Sequence, residues 1–470
     1  MSDGLQIFIH RGTKQIGGSC VEMQCAGKRI VVDLGLPLDA ELEATELPNI
    51  PSVHNNDGSL LGFLLSHGHR DHWGLLPKLP SSIDVYLGRK TLSIMTAAAS
   101  FIPGGYAPVK SVTFEDGKPF NLGPFTITPN LMDHSGFDVL IEAGGKRVYY
   151  SGDIRGHGRK AALFERFIKS PPRDIDVLLM EGSSLGRLRT EERFETESEI
   201  ESRLLDVMSS TGGIVLVACS AQNIDRVVSV YRAAKRSGRQ MLVDAYAAEV
   251  LKATDTKSIP KPTAEWPDVK VYIPQAQRRF LKEKNIAALV DNYKGRRVFP
   301  EALPSEAARS VMIIRPWMLH DLARAGILEG STAIWSQWDG YLKEEAGIKF
   351  VEACAAASVK FETIHTSGHA DPRDLKRYSE AIRPKKLVPI HTFHPDQFER
   401  AICQRGAIQR WRMVRCIRLK SKWETQWTLH SDRSSASSAR KTCGSSKRQP
   451  LDPKALGFET RSVTRSFFSH

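Results

Sequence analysis

Between Leu65 and Trp73 the chain reads Ser-His-Gly-His-Arg-Asp-His, which places four metal-competent side chains, His67, His69, Asp71 and His72, within six residues. The apolar run Gly62 to Leu65 leads into them, so they sit where a strand gives way to a helix. His67 and His69 share a direction, while Asp71 and His72 project from the following turn, and the set can divide between two metal ions. A lone histidine is ordinarily a surface or core residue; four donors at this spacing are not. Neutral imidazole together with carboxylate favours zinc, with manganese the competitor at a site rich in carboxylate and water. Two coordination spheres need more ligands than one loop supplies. The chain offers them at similar places: His134 in LMDHSG, Asp153 in YYSGDIR and His391 in VPIHTFHP, with Asp153 placed to bridge. Alone, each would pass for a turn residue. His10, His54, His157, His365 and His394 are read as surface or supporting residues, not ligands.

Rigid strands must present these donors. The first 190 residues contain short apolar runs, LQIFI, RIVVDLG, GFLLSHG, FTITPN, RVYYSGD and DIDVLLME, and the chemistry stands at their ends. From about residue 195 the pattern changes to alternating helix and strand. Thr196 and Glu199 form a capping box before EIESRLLDVMSS; GIVLVACS reads as a buried strand, NIDRVVSVYRAAKRSG as a helix closed by Gly238, and RQMLVD as a strand. Such alternation predicts parallel α/β units. After about 345 the strand-end chemistry returns in KFETIHTSGHA and KKLVPIHTFHP, on either side of a helical DPRDLKRYSEAI. The predicted division is therefore a core domain in two parts, 1–194 and 346–400, with a parallel-sheet domain inserted at 195–345. A basic segment at 401–430 has enough apolar surface (Trp411, Met413, Val414, Ile417, Leu419, Trp423, Trp427) to pack on the core. Residues 431–470 are Ser/Arg-rich and aperiodic and read as a disordered tail.

The order IGGSC, IVVDLG, HGHRDH, DHSG, SGDIR, EGSS, TSGHA and PIHT resembles the metallo-β-lactamase fold in its nucleic-acid-processing branch, the beta-CASP family, whose members include RNase J and the endonuclease of pre-mRNA 3′ cleavage. The likeness spans roughly residues 5 to 400. It implies an α/β fold, a four-layer αβ/βα sandwich holding two Zn2+ ions, with an inserted parallel-sheet beta-CASP domain and phosphodiester hydrolysis of RNA or DNA in the cleft between them. By the same resemblance His67, His69 and His134 would bind one zinc, Asp71, His72 and His391 the other, and Asp153 would bridge. Asp33 would orient the histidine loop from behind. Glu181 and His369 would form an acid pair, and with Asp71 they make up the catalytic set. Two metals ~3.5 to 4 Å apart turn a bridging water into hydroxide near neutral pH and neutralise charge building on the phosphate. A His369 kept protonated by Glu181 would donate to the departing 3′ oxygen, a step worth typically ~10²- to 10⁴-fold. Ser367 and Gly368, with the turn Ser220 to Asn223, are read as contacts to substrate phosphates, although a plain helix cap fits that turn equally. Ser336, Trp338 and the neighbouring Trp335 and Tyr341 fall where relatives face the nucleic-acid path, and the aromatics would stack on unpaired bases or sit in the core. Arg315 is similarly open.

The chain's 470 residues suggest two to four domains at ~150 each, and 41% apolar content supplies their cores. The net charge of +13 is concentrated late: residues 401–470 carry fifteen Lys/Arg against four acids, leaving about +2 on the first 400. Basicity thus says little about the main body. The seven cysteines, Cys20, Cys25, Cys219, Cys354, Cys403, Cys416 and Cys443, are odd in number and include no CxxC, so neither a disulfide framework nor a thiolate zinc site is indicated and a reducing compartment fits. No secretory signal or membrane span is read, and the location expected is cytoplasmic. The leading function is a dinuclear-zinc ribonuclease, exo- or endonucleolytic, on RNA or single-stranded DNA. The alternatives are a small-molecule metallo-hydrolase and a catalytically inactive nucleic-acid-binding subunit. Oligomeric state stays open, a homodimer included.

Overall fold

The computed structural model describes residues 4–51, 53, 57–134, 136–188, 192–402 and 417–419. The tail expected from 431, His54, and all of the 401–430 segment except its first two residues and 417–419 lie outside those residues. Among the described residues twenty strands occur in chain order: β1 (Leu5–Arg11), β2 (Cys20–Cys25), β3 (Lys28–Val32), β4 (Leu60–Leu64), β5 (Val85–Gly88), β6 (Ser111–Phe114), β7 (Phe120–Leu122), β8 (Phe125–Leu131), β9 (Phe137–Ala143), β10 (Lys146–Tyr150), β11 (Val177–Glu181), β12 (Val215–Ala218), β13 (Gln240–Val243), β14 (Val269–Tyr272), β15 (Arg297–Val298), β16 (Ser310–Ile314), β17 (Thr332–Trp335), β18 (Lys360–Thr363), β19 (Lys386–Ile390) and β20 (Ile417–Leu419). They form three sheets, ordered β20-β1-β2-β3-β4-β5-β6, β19-β11-β10-β9-β8-β7 and β15-β14-β13-β16-β12-β17-β18.

The first two sheets pack face to face, and the period-2 alternation of strand side chains decides what lies between them. Leu5, Ile7 and Ile9 of β1 meet Phe125, Ile127, Ile141, Val148, Tyr150, Val177 and Leu179 in one core. The opposite faces of the same strands, Tyr149, Leu178 and Met180, meet Phe164 and Phe167 of the helix Ala161–Lys169 and Leu375 and Tyr378 of the helix Pro372–Ile382. On the far side of the first sheet, Val31, Phe63 and Leu65 meet Trp73, Leu76 and Met95. The result is the four-layer αβ/βα sandwich that the resemblance implied.

All pairings in the third sheet are parallel. Val215 and Val217 face one helical layer while Leu216 and Ala218 face the other, so its strands are apolar on both faces, as parallel strands covered by helices must be. Adjacent strands β11 and β19 of the second sheet are separated in the chain by the whole of this sheet, which makes it an inserted cap. The strand read at KFETI as a return to the core domain is β18, paired to β17. The cap sheet accordingly runs past residue 345; a half-exposed edge strand carries no sequence mark of which sheet it joins. Among the described residues no helix is long and apolar enough to cross a membrane.

Candidate metal centre

The donors converge at the ends of strands from both core sheets. After β4, Ser66 and His67 lead into the four-residue helix Arg70–Trp73; His134 follows β8, Asp153 follows β10, Glu181 ends β11 and His391 follows β19. Close approach of two of these loops requires Gly136, where a Cβ would lie 2.3 Å from the His67 Cβ.

His67, His69, His134 and Asp153 offer ligand atoms that lie within 4.8 Å of one another, and so do His72, Asp153 and His391. In the first group His67 Nε2 is 3.0 Å and His134 Nε2 3.2 Å from His69 Nδ1, and Asp153 Oδ2 is 3.4 Å from His67 Nε2. In the second, the other oxygen, Asp153 Oδ1, is 3.3 Å from His72 Nε2 and 3.9 Å from His391 Nε2, and Asp71 Oδ2 is 3.6 Å from His391 Nε2. Asp153 therefore turns one oxygen to each group. His72 Nε2, Asp153 Oδ1 and His391 Nε2 are buried without a hydrogen-bond partner. Three orphaned polar atoms facing each other are expensive unless a cation lies between them, so these residues fit a metal.

Electrostatics agrees. Burial, with His67 and His72 adding repulsion, lowers His69 to about 3, and burial with the neighbouring imidazoles also lowers His134. Both are held neutral, with lone pairs free. Burial should lower His72 too, but the carboxylates of Asp153, Asp71 and Asp33 raise it well above its ordinary value. Three carboxylates thus bear on one buried imidazole, surroundings that suit a cation.

Asp33 stands behind the histidine loop. Its Oδ1 accepts from Ser66 N (2.8 Å); its Oδ2 accepts from Ser66 Oγ (2.8 Å), Tyr150 Oη (2.7 Å) and His72 Nδ1 (2.7 Å). That last bond fixes the tautomer that leaves His72 Nε2 free, as outer partners of metal-binding histidines do. Likewise His134 Nδ1 donates to the Gly368 carbonyl at 2.6 Å. Asp33 and His391 both adopt left-handed backbone, φ +59° and +48°; the bonds above hold Asp33 there, and Ser19 Oγ, 3.0 Å from His391 Nδ1, holds His391.

Glu181 is fully buried and accepts from Ile154 N, from Ser183 Oγ (2.7 Å) and from His369 Nδ1 (3.0 Å). Burial alone would lower His369, but Glu181 and Asp153 raise it to about 9. Its ring lies beside both donor groups, stacked on His134 and tilted against His391.

Several expected substrate contacts are engaged elsewhere. Asn223 caps the helix Ile224–Arg236 by accepting from Arg226 N, and Ser220 Oγ accepts from Gln222 N; this turn is the helix cap. Ser336 is corrected from substrate contact to buried support: its hydroxyl donates to the Ile364 carbonyl and accepts from Arg226 Nη1, both at 2.6 Å. Trp335 belongs to the cap core beside Phe350, whereas Trp338 is 46% exposed. Ser367 Oγ accepts from His369 N, and the Gly368 carbonyl is taken by His134. Arg315 Nη1 donates to the Cys219 carbonyl, with Asp244 3.6 Å away. His157 donates to the Ser367 carbonyl and His365 lies beside Arg226, neither among the metal-facing donors. Sequence reading missed Tyr150 and Ser183; Tyr150 directly precedes the SGD motif, but nothing in its type announces the bond to Asp33.

This fold and donor set define a metallo-β-lactamase-superfamily hydrolase, and family models agree: residues 29–194 match the beta-lactamase superfamily domain and residues 357–401 the Zn-dependent metallo-hydrolase RNA specificity domain. Over most of its length the chain is also similar to ribonucleases J. Ribonuclease J 2 of Streptococcus pyogenes is 23% identical over 411 residues, covering 82% of this chain and 69% of that protein. Ribonuclease J of Sinorhizobium meliloti is 23% identical over 384 residues, covering 77% and 63%. A crystal structure of a protein of unknown function from Enterococcus faecalis shares the fold at TM-score 0.70 and 18% identity, over 88% of this chain and all of that one.

Proposed function

We propose that this chain is a zinc-dependent ribonuclease that hydrolyses phosphodiester bonds at a dinuclear centre. The observation that carries the reading is the division of the Asp153 oxygens between two donor groups, one of them with three orphaned buried atoms; the RNA specificity segment supplies the substrate class. His67, His69, His134 and Asp153 would hold one zinc, and Asp71, His72, His391 and Asp153 the other. When bound, such a pair supplies a nucleophile from water at neutral pH and neutralises charge on the phosphate. The chain's own residues do the rest. Asp33 and the Gly368 carbonyl hold His72 and His134 in the ligating tautomer. Glu181 keeps a proton on His369 Nδ1, and the opposite ring nitrogen carries the proton for the leaving 3′ oxygen. Trp338, exposed on the cap, offers a stacking face to an unpaired base. This reading goes with a cytoplasmic location.

The test is purified full-length protein with zinc or manganese on 5′-monophosphorylated and 5′-triphosphorylated single strands of RNA and DNA, labelled at either end, with metal counted in parallel. About two metals per chain and cleavage of RNA are expected, both lost in D71A or H69A. An active, folded preparation without transition metal would overturn the reading. Cleavage of a lactone or thioester with no RNA hydrolysis would favour the small-molecule alternative.

A further inference from the structure

The turn after Asp153 ties the metal core to the cap. Arg155 is buried and lays its guanidinium against two buried carboxylates from distant parts of the chain. One is Asp133, whose Oδ2 lies 3.6 Å from Arg155 Nε and which directly precedes His134. The other is Asp225, in the first turn of the cap helix Ile224–Arg236, ion-paired with Arg155 Nη2. Asp133 also accepts from the backbone N–H groups of Gly158 (2.6 Å) and Lys160 (2.7 Å), and Lys160 Nζ donates to the His134 carbonyl at 3.0 Å. Asp225 accepts in addition from Arg159 N at 3.1 Å. The Arg159 side chain then reaches Ser229 at 2.8 Å and Glu201, on the neighbouring cap helix, at 2.6 Å. A Cβ at Gly158 would lie 2.4 Å from Arg155 Nη2, so any side chain there displaces the guanidinium from its seat.

The residues that this bundle brackets are His134, adjacent to Asp133, and Asp153, two residues before Arg155. We propose that Asp225 is a positioning residue: by seating Arg155 and, through it, Asp133, it fixes the loops that carry His134 and Asp153, so zinc affinity at the centre depends on how the cap is docked. Buried charges are suited to this because an unpaired partner is costly, which gives the bundle one well-defined arrangement. The dependence is reciprocal by linkage: whatever fixes the cap tightens zinc, and zinc tightens the cap.

The inference rests on the metal reading above, and the experiment separates the two. Full-length wild type, D225N, D225E and G158A are loaded with zinc and titrated with a chelator. D225N should release its weaker-bound zinc at least tenfold more readily than wild type, and excess zinc should restore its turnover. G158A, which displaces Arg155 without removing any charge, should do the same, and D225E should retain most of the wild-type affinity. If D225N melts lower but holds zinc as wild type does, the bundle is only a structural dock and the proposal fails. Should D225N not fold, G158A carries the test on the same criterion. Wild type that binds no zinc overturns the metal reading and this inference together.

Discussion

His369 is raised to about 9 against the effect of burial, and the Glu181 carboxylate at 3.0 Å is the largest cause of that rise. It pairs with Glu181 through Nδ1 and is partly exposed, as the proposed proton donor requires. H369A should therefore cut kcat by about a hundredfold or more, the usual worth of a positioned acid, while bound metal stays near wild type. E181Q should do the same more weakly. Loss of a metal ion in H369A, measured by elemental analysis, would show that the role is misassigned. At this scale the sequence was informative where residue types are improbable together: HGHRDH, the Asp of SGD and the His of PIHT stand in the cluster that the spacing suggested. It was uninformative about hydroxyls. Ser336 and Ser367 look alike as candidate substrate contacts, and only the fold reveals that the hydroxyl of the first is taken by Arg226 and the Ile364 carbonyl.

In the cap, the two helices Glu197–Ser210 and Ile224–Arg236 are joined by an ion pair with almost no exposure, Glu197 Oε1 to Arg226 Nη2 at 2.9 Å. Burial would raise Glu197, but the Arg226 guanidinium and the Ser229 hydroxyl hold it down at about 2. A carboxyl whose folded value is depressed contributes stability that is complete above its unfolded value, 4.5, and is lost as the pH falls from there toward 2. E197Q leaves Arg226 buried without its counter-charge and should cost roughly 3 to 5 kcal/mol near neutrality. In melting experiments the gap between wild type and E197Q should narrow as the pH drops from 6 to 3; a gap independent of pH would exclude the pair as its source. The capping box that starts the first helix was legible, because Thr196 and Glu199 stand at the required spacing and make both reciprocal bonds. Assignment of β18 was not, since a four-residue strand with both ends exposed satisfies any open edge.

For the whole molecule, the most remote pairing closes the edge of the first sheet: β20 lies antiparallel to β1, with Leu5 opposite Leu419 and Ile7 opposite Ile417. Removing residues from Gln404 onward uncovers the β1 edge and should lower the melting temperature and promote association through that edge. Removing residues from Ser431 onward spares this pairing and should leave melting unchanged. If both truncations melt like the full chain, β20 contributes nothing to stability.

The placement of β19 bears on synthesis at the ribosome. Its neighbour β11 emerges about two hundred residues earlier, and the whole cap must be translated between them. Until Ile390 has left the exit tunnel the second core sheet lacks its outermost strand, and His391 cannot join the other donors. At ~5 to 20 residues per second, that leaves a nascent N-terminal sandwich waiting ten seconds or longer with an open β11 edge, while the cap, continuous in sequence, can fold as a unit. Completion of the donor group that includes His391 is then a late event in this chain's biogenesis, whereas His67, His69, His134 and Asp153 are all translated before β11. Arrested nascent chains ending before His391 should already carry a protease-resistant cap while lacking a complete metal centre.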